Sequence, residues 1–206
     1  MTRKIAPSKA ETGLLPPFPT LPLGRIFVPI TEEHFAAASA DIKAAGVVGF
    51  DTESKPTFVT GDVSEGPHIV QFALSDKAYI FQLHREICRP WLIELLQSAA
   101  VLKVGFGLES DRGQMQAKLG VRLAALLDLN ALFRKDGYAS SMGVRAAVGV
   151  AFGQKFHKSK KATTSNWALP DLSASQLLYA ANDAFAALRV YQALQQEQTT
   201  ANATAS

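Results

Sequence analysis

The sequence predicts an α/β domain built on a mixed sheet flanked by helices. Three β-rich runs follow one another early in the chain, "VVGFDTE", "HIVQFALS" and "AYIFQL", the last two separated by the turn signal Ser75-Asp76. Consecutive strands joined by short turns pair antiparallel. Helical and strand-like runs then alternate, an order that adds parallel strands and places helices on the sheet faces. The chain is 206 residues long and 48% hydrophobic, enough for one domain with a substantial core.

Each element has a local reason. Residues 1–24 include "LLPPFPTLPLG", proline-rich and without period, and are expected to form a tail or an arm lying on the surface. In "TEEHFAAASADIKAAG", Thr31 is a candidate N-cap, acids fill the first turn and Gly46 ends the run, which predicts a helix. "VVGFDTE" is a short apolar run ending in acids and reads as a buried strand, followed by the two further strands. "RPWLIELLQSA" reads as a helix, "VLKVGFG" as a strand, and "ESDRGQMQAKLG" as a helix closed by Gly120. "LAALLDLNALF" suggests a short strand leading into a helix, and "SSMGVRAAVGVAFG" a helix stopped by glycines. The last helix is expected over residues 173–195. Residues 196–206, "EQTTANATAS" with the preceding Gln, are expected to be a disordered polar tail, leaving 25–195 as the folded domain.

Composition excludes several classes. No run of about 20 apolar residues is present, so no membrane span is expected. The N-terminus is basic but has no apolar h-region. Cys88 is the only cysteine, which excludes an internal disulfide framework and a cysteine-based zinc site. A cytoplasmic location is the simplest expectation. The net charge of +3 lies in the first 25 residues, where Arg3, Lys4, Lys9 and Arg25 face only Glu11; the remainder is neutral. A local basic run, "QKFHKSKKA", with Lys155, Lys158, Lys160 and Lys161, suits contact with a phosphate backbone, and equally a solvated loop.

Carboxylates at particular places point to chemistry. Asp51 and Glu53 lie two apart in an apolar strand, so period-two geometry puts both on one side of the sheet. Two acids that close repel, and one pKa should rise unless a cation lies between them. Asp111 follows a second apolar strand near the start of a helix, where a carboxylate is also favoured simply by the helix dipole. Asp183 lies in the middle of an alanine-rich helix, a poor place for Asp, with Tyr179 one turn before it on the same face.

"FDTE", "GFGLESD" and "YAAND", in this order, resemble the DEDDy branch of the DnaQ-like 3′-5′ exonucleases, and most closely RNase D and the Werner-syndrome-type exonuclease domain. The resemblance extends to "VVGFDTESKPTF", "VQFA", "LLDLNAL" and "SNWALPDLSASQLLYAANDAFAALRVYQAL", over about residues 25–195. It implies an RNase H-like fold and a metal-dependent hydrolase that removes nucleoside 5′-monophosphates from single-stranded or frayed 3′ ends of DNA or RNA. Asp51, Glu53, Asp111 and Asp183 match the family's acids and would bind two Mg²⁺ or Mn²⁺ ions; Tyr179 matches the tyrosine that aims the attacking water. Glycine stands at 107, where RNase D members often carry Asn and Werner-type members tolerate Gly. Phe58 would stack on the terminal base, and Lys155, Lys158, Lys160 and Lys161 would contact phosphates. The rival readings are a non-catalytic nucleic-acid-binding module and a metal-dependent phosphohydrolase acting on small nucleotides.

Overall fold

The structure, a computed structural model, describes residues 3–57, 65–138, 141–159, 162 and 164–204. Phe58, Lys160 and Lys161 lie outside the described residues. Along the chain run α1 (Lys9–Gly13), β1 (Ile26–Phe27), α2 (Glu32–Ala45), β2 (Val47–Glu53), β3 (Ile69–Ala73), β4 (Ala78–Gln82), α3 (Arg89–Gln97), β5 (Leu102–Gly105), α4 (Leu108–Leu119), β6 (Leu126–Asp128), α5 (Asn130–Lys135), α6 (Val144–Phe152) and α7 (Ala174–Thr204). The described strands form one sheet in the order β1-β4-β3-β2-β5-β6. β2, β3 and β4 pair antiparallel, whereas β5 joins β2, and β6 joins β5, in parallel. This is the expected meander followed by parallel additions. The additional strand β1 lies parallel to β4 and is only two residues long, too short to show a period.

Period two in β2 sorts its side chains between two cores. Val48 and Phe50 are fully buried with Phe35, Ile42, Phe72 and Leu95 on the face covered by α2 and α3. Gly49, Asp51 and Glu53 turn to the opposite face, which α7 covers with Ala180, Ala184 and Leu188. Gly49 is what lets α7 come down on the sheet: a Cβ there would lie 1.9 Å from the Ala184 carbonyl oxygen. The same strand therefore supplies a contact surface for α7 and, two and four residues on, two carboxylates beneath it.

The arm is part of the fold rather than a surface strap. Ser8 and Glu11 form a reciprocal cap at the start of α1, with the Ser8 amide donating to the Glu11 carboxylate at 2.7 Å and the Glu11 amide to the Ser8 hydroxyl at 3.2 Å. Phe18 and Leu21 are buried in the α7-side core. Phe18 lies against Phe152, Phe156 and Phe185, with ring centroids 5.4, 6.1 and 6.4 Å away. Two backbone hydrogen bonds, Lys155 N to Pro16 O (2.7 Å) and Phe18 N to Lys155 O (2.9 Å), zip the arm to the segment after α6. Asn182 of α7 closes the other end: its Oδ1 accepts from the Leu21 amide (2.7 Å) and its Nδ2 donates to the Leu21 carbonyl (3.2 Å).

α7 continues through 196 to Thr204 instead of giving way to disorder at 195. Gln, Glu and Ala there are good helix formers, and the Thr199 and Thr200 hydroxyls donate back to the carbonyls of Gln195 and Gln196, both at 2.9 Å. Among the described residues, no helix is long and apolar enough to cross a membrane.

Candidate active site

β2 and α7 bring three acids to one point. Asp51, Glu53 and Asp183 each offer a carboxylate oxygen within 4.8 Å of the others. The first two reach it from alternate positions of the strand. The third comes from the mid-helix position that Gly49 allows to sit over the sheet. Tyr179, one turn earlier on the same helix face, is buried, and its ring lies 5.8 Å from that of Trp167. Trp167, which follows the lysine run in sequence, is itself 1% exposed and is a core residue.

Asp111 takes a different place. It is in the first turn of α4 and accepts a short hydrogen bond from the Thr52 hydroxyl. Thr52 alternates to the α4 side of β2, so this bond holds Asp111 at the end of the strand, beside the three-carboxylate cluster and not within it. The turn into α4 needs Gly107, whose φ of 72° is left-handed. Glycine and asparagine are the two residues that best tolerate that conformation, which is a physical reason for either to occupy the position.

Crowding these acids together shifts all of them upward. Burial, followed by the charges of Asp183 and Asp111, holds Asp51 well above the usual carboxylate range. Glu53 is pushed up to about 9 by burial and then by the charges of Asp51 and Asp183. Burial also raises Asp183, against the pull of Lys158, and raises Asp111, against its bond from Thr52. Such a donor set, all oxygen and short of positive charge, suits a hard divalent cation.

Lys158 enters the cluster from the loop after α6. Its Nζ is 2.5 Å from Asp183 Oδ2 and lies 5.2 Å from the centre of the Tyr179 ring. Burial works against the ammonium, but Asp183 and Tyr179 together outweigh it and hold the amine above its ordinary pKa. The lysine run therefore does not act as a unit: Lys158 is a charge partner of the carboxylates, whereas Lys155 donates to the Gly13 carbonyl of the arm at 3.1 Å. Sequence reasoning also missed Thr52 and Gln71. Gln71 pairs in register with Asp51, is fully buried, and its amide has no hydrogen-bond partner among the described residues. Its one signal was a polar residue inside the apolar run "IVQFA".

The raised acids have a consequence for stability. Glu53 keeps its proton to about pH 9 in the fold but releases it near 4.5 when unfolded. Between those values the unfolded chain binds fewer protons, so stability falls as pH rises. In excess chelator, the melting temperature should drop from pH 6 to pH 9, and Glu53→Gln should flatten that slope and melt higher than wild type at pH 8–9. Differential scanning calorimetry checks this; an identical slope in the variant would mean that Glu53 is not held protonated.

Comparison with known proteins agrees with the geometry. A model of the 3′-5′ exonuclease family matches residues 27–198. The bifunctional 3′-5′ exonuclease/ATP-dependent helicase WRN of Mus musculus is 31% identical over 151 residues, covering 72% of this chain and 11% of that protein. A 3′-5′ exonuclease of Arabidopsis thaliana is 28% identical over 159 residues, covering 75% of this chain and 54% of that one. The chain thus spans about half or less of the length of these curated relatives. Among solved structures, the EXO domain of Aedes aegypti Nibbler superposes with a TM-score of 0.72 at 25% identity, covering 87% of this chain and 91% of that one. Over nearly its whole folded length, this chain belongs to the 3′-5′ exonuclease family.

Proposed function

We propose that the domain hydrolyses phosphodiester bonds at the 3′ end of DNA or RNA, one nucleotide at a time, releasing nucleoside 5′-monophosphates. The observation that carries this is the meeting of Asp51, Glu53 and Asp183 within 4.8 Å, with Tyr179 one helical turn from Asp183. We assign these three acids, with Asp111 in support, as the ligands of two Mg²⁺ or Mn²⁺ ions. Bound there, such ions would lower the pKa of a water and stabilise charge on the leaving oxygen. The cavity they face is about 330 Å³ and includes Phe106, Gly143 and Lys158 in its wall, room for a terminal nucleotide.

The chain's own groups have separable tasks. The Tyr179 hydroxyl orients the attacking water. Trp167 packs against the ring, tilted by 41°. Lys158, once a cation takes over the charge of Asp183, is placed to meet a substrate phosphate. The partner is a single-stranded or frayed 3′ end, since only an unpaired terminus enters so small a cavity.

The test uses end-labelled single-stranded, blunt and 3′-recessed DNA and RNA with Mn²⁺ or Mg²⁺. The expected result is a ladder shortening from the 3′ end, with nucleoside 5′-monophosphates as product and no reaction in excess EDTA. Full activity in EDTA, or hydrolysis of free nucleotides with the oligonucleotides left intact, would overturn the proposal.

A further inference from the structure

The basic charge of the arm and the loop after α6 meet in a second cavity, of about 440 Å³, whose wall includes Lys9, Arg145, Lys155, His157 and Lys158 and no acidic side chain among the described residues. Three parts of the chain build it. α1 supplies Lys9, Thr12 and Gly13; α6 supplies Arg145; the segment 155–159 supplies the rest. α1 can lie against α6 because residue 149 is glycine: a Cβ there would be 2.9 Å from the Thr12 side chain. The Lys155 ammonium, bonded to the Gly13 carbonyl, ties the loop to the end of α1. Among the described residues, no ion pair neutralises Lys9, Arg145 or Lys155.

We infer that this cavity holds a backbone phosphate of the nucleic-acid strand, upstream of the bond being cut. Two features favour that ligand. Lys9, Arg145 and Lys155 are grouped and, among the described residues, make no ion pair, which favours a compact anion. Lys158 belongs to both this cavity and the carboxylate cavity, so a strand whose 3′ end occupies the one passes directly to the other. The inference rests on the exonuclease reading for the identity of the strand. It gives the arm a task, since without Lys9 and the α1 wall the loop cations would face open solvent.

The experiment measures equilibrium binding of fluorescent oligothymidylates of two to ten nucleotides in excess EDTA, where no hydrolysis occurs, for the full chain and for Lys9→Ala, Arg145→Ala and the double variant. Lys43→Ala, which removes an exposed cation of α2 paired with Glu94 of α3, is the control. Wild-type affinity should rise with length, and the three variants should lose much of that rise, binding the eight-nucleotide strand several-fold more weakly. The log–log salt slope should fall by about 0.7 per contact removed from a single strand, and Lys43→Ala should match wild type. Thymidine 5′-monophosphate and inorganic phosphate are run as competitors. Displacement of the eight-nucleotide strand by either at concentrations near its own Kd would mean the cavity takes free phosphate instead, and would overturn the inference. So would variants with wild-type affinity and slope. Should Arg145→Ala fold poorly, Lys9→Glu, on the exposed face of α1, carries the same test. A Mn²⁺ hydrolysis assay separates the two readings: cleavage with variant-independent binding sinks only the cavity, and variant-dependent binding without cleavage sinks only the enzyme.

Discussion

Asp183→Asn should lose about 10³-fold or more of the exonuclease activity, whereas Tyr179→Phe should lose on the order of 10²-fold. The aspartate is one of three oxygen donors at a single point and the only one that α7 contributes to that cluster. Its amide would bind a cation weakly and leave the Lys158 ammonium, 2.5 Å away, without its counter-charge. Several kcal/mol of charge stabilisation in the transition state are at stake, and each 1.4 kcal/mol is tenfold in rate. Phenylalanine at 179 keeps the ring against Trp167 and removes only the hydroxyl, a loss typical of one positioned polar group. Titrating Mn²⁺ against activity distinguishes them: the midpoint should move far upward for Asp183→Asn and stay in place for Tyr179→Phe. Equal midpoint shifts, or wild-type activity in the Tyr179 variant, would show the water-orienting role to be misassigned.

Gly49→Ala should be as damaging, although residue 49 touches no substrate. The new methyl group would sit 1.9 Å from the Ala184 carbonyl oxygen, which belongs to helix backbone and cannot turn aside. α7 must lift from the sheet, at a cost on the order of 3 kcal/mol or more. Asp183 is the residue just before Ala184 in that helix, so the lift carries it away from Asp51 and Glu53. A displacement of about 1 Å can cost 10²-fold in rate. The expectation is a melting temperature lowered by several degrees together with a drop in activity that saturating Mn²⁺ does not restore. An active, fully stable Gly49→Ala protein would mean that the sheet-to-helix distance does not set the site.

The parts of this architecture that were legible in the sequence are those set by local periodicity. Asp51 and Glu53 share a face because strands alternate, and Tyr179 and Asp183 do so because helices repeat every 3.6 residues. The antiparallel-then-parallel order of the sheet followed from the order of the runs. What stayed hidden depends on contacts distant in sequence. Lys158 looks like one of four similar lysines; its inward path is fixed by bonds from Lys155 to Pro16 and Phe18 some 140 residues earlier. Proline-rich and aperiodic, the arm gave no sign that Phe18 would find three phenylalanines from later elements. Asp111 was legible as an acid at a helix start, but its bond from Thr52 was not, since nothing local links a strand hydroxyl to a helix 59 residues on.

The match to the family model begins at residue 27, whereas the hydrophobic core begins at Phe18. The stretch that matches the family model is therefore shorter than the stretch that folds. A fragment trimmed to residues 27–198 would strip the cover from Phe152, Phe156 and Phe185, leave the backbone of Lys155 and the amide of Asn182 without their partners, and open a greasy trough alongside the helix that carries Tyr179 and Asp183. The nine residues from Phe18 to Ile26 thus act as a keel for this exonuclease scaffold, outside the stretch that bears the catalytic acids yet inside the mass that keeps them steady.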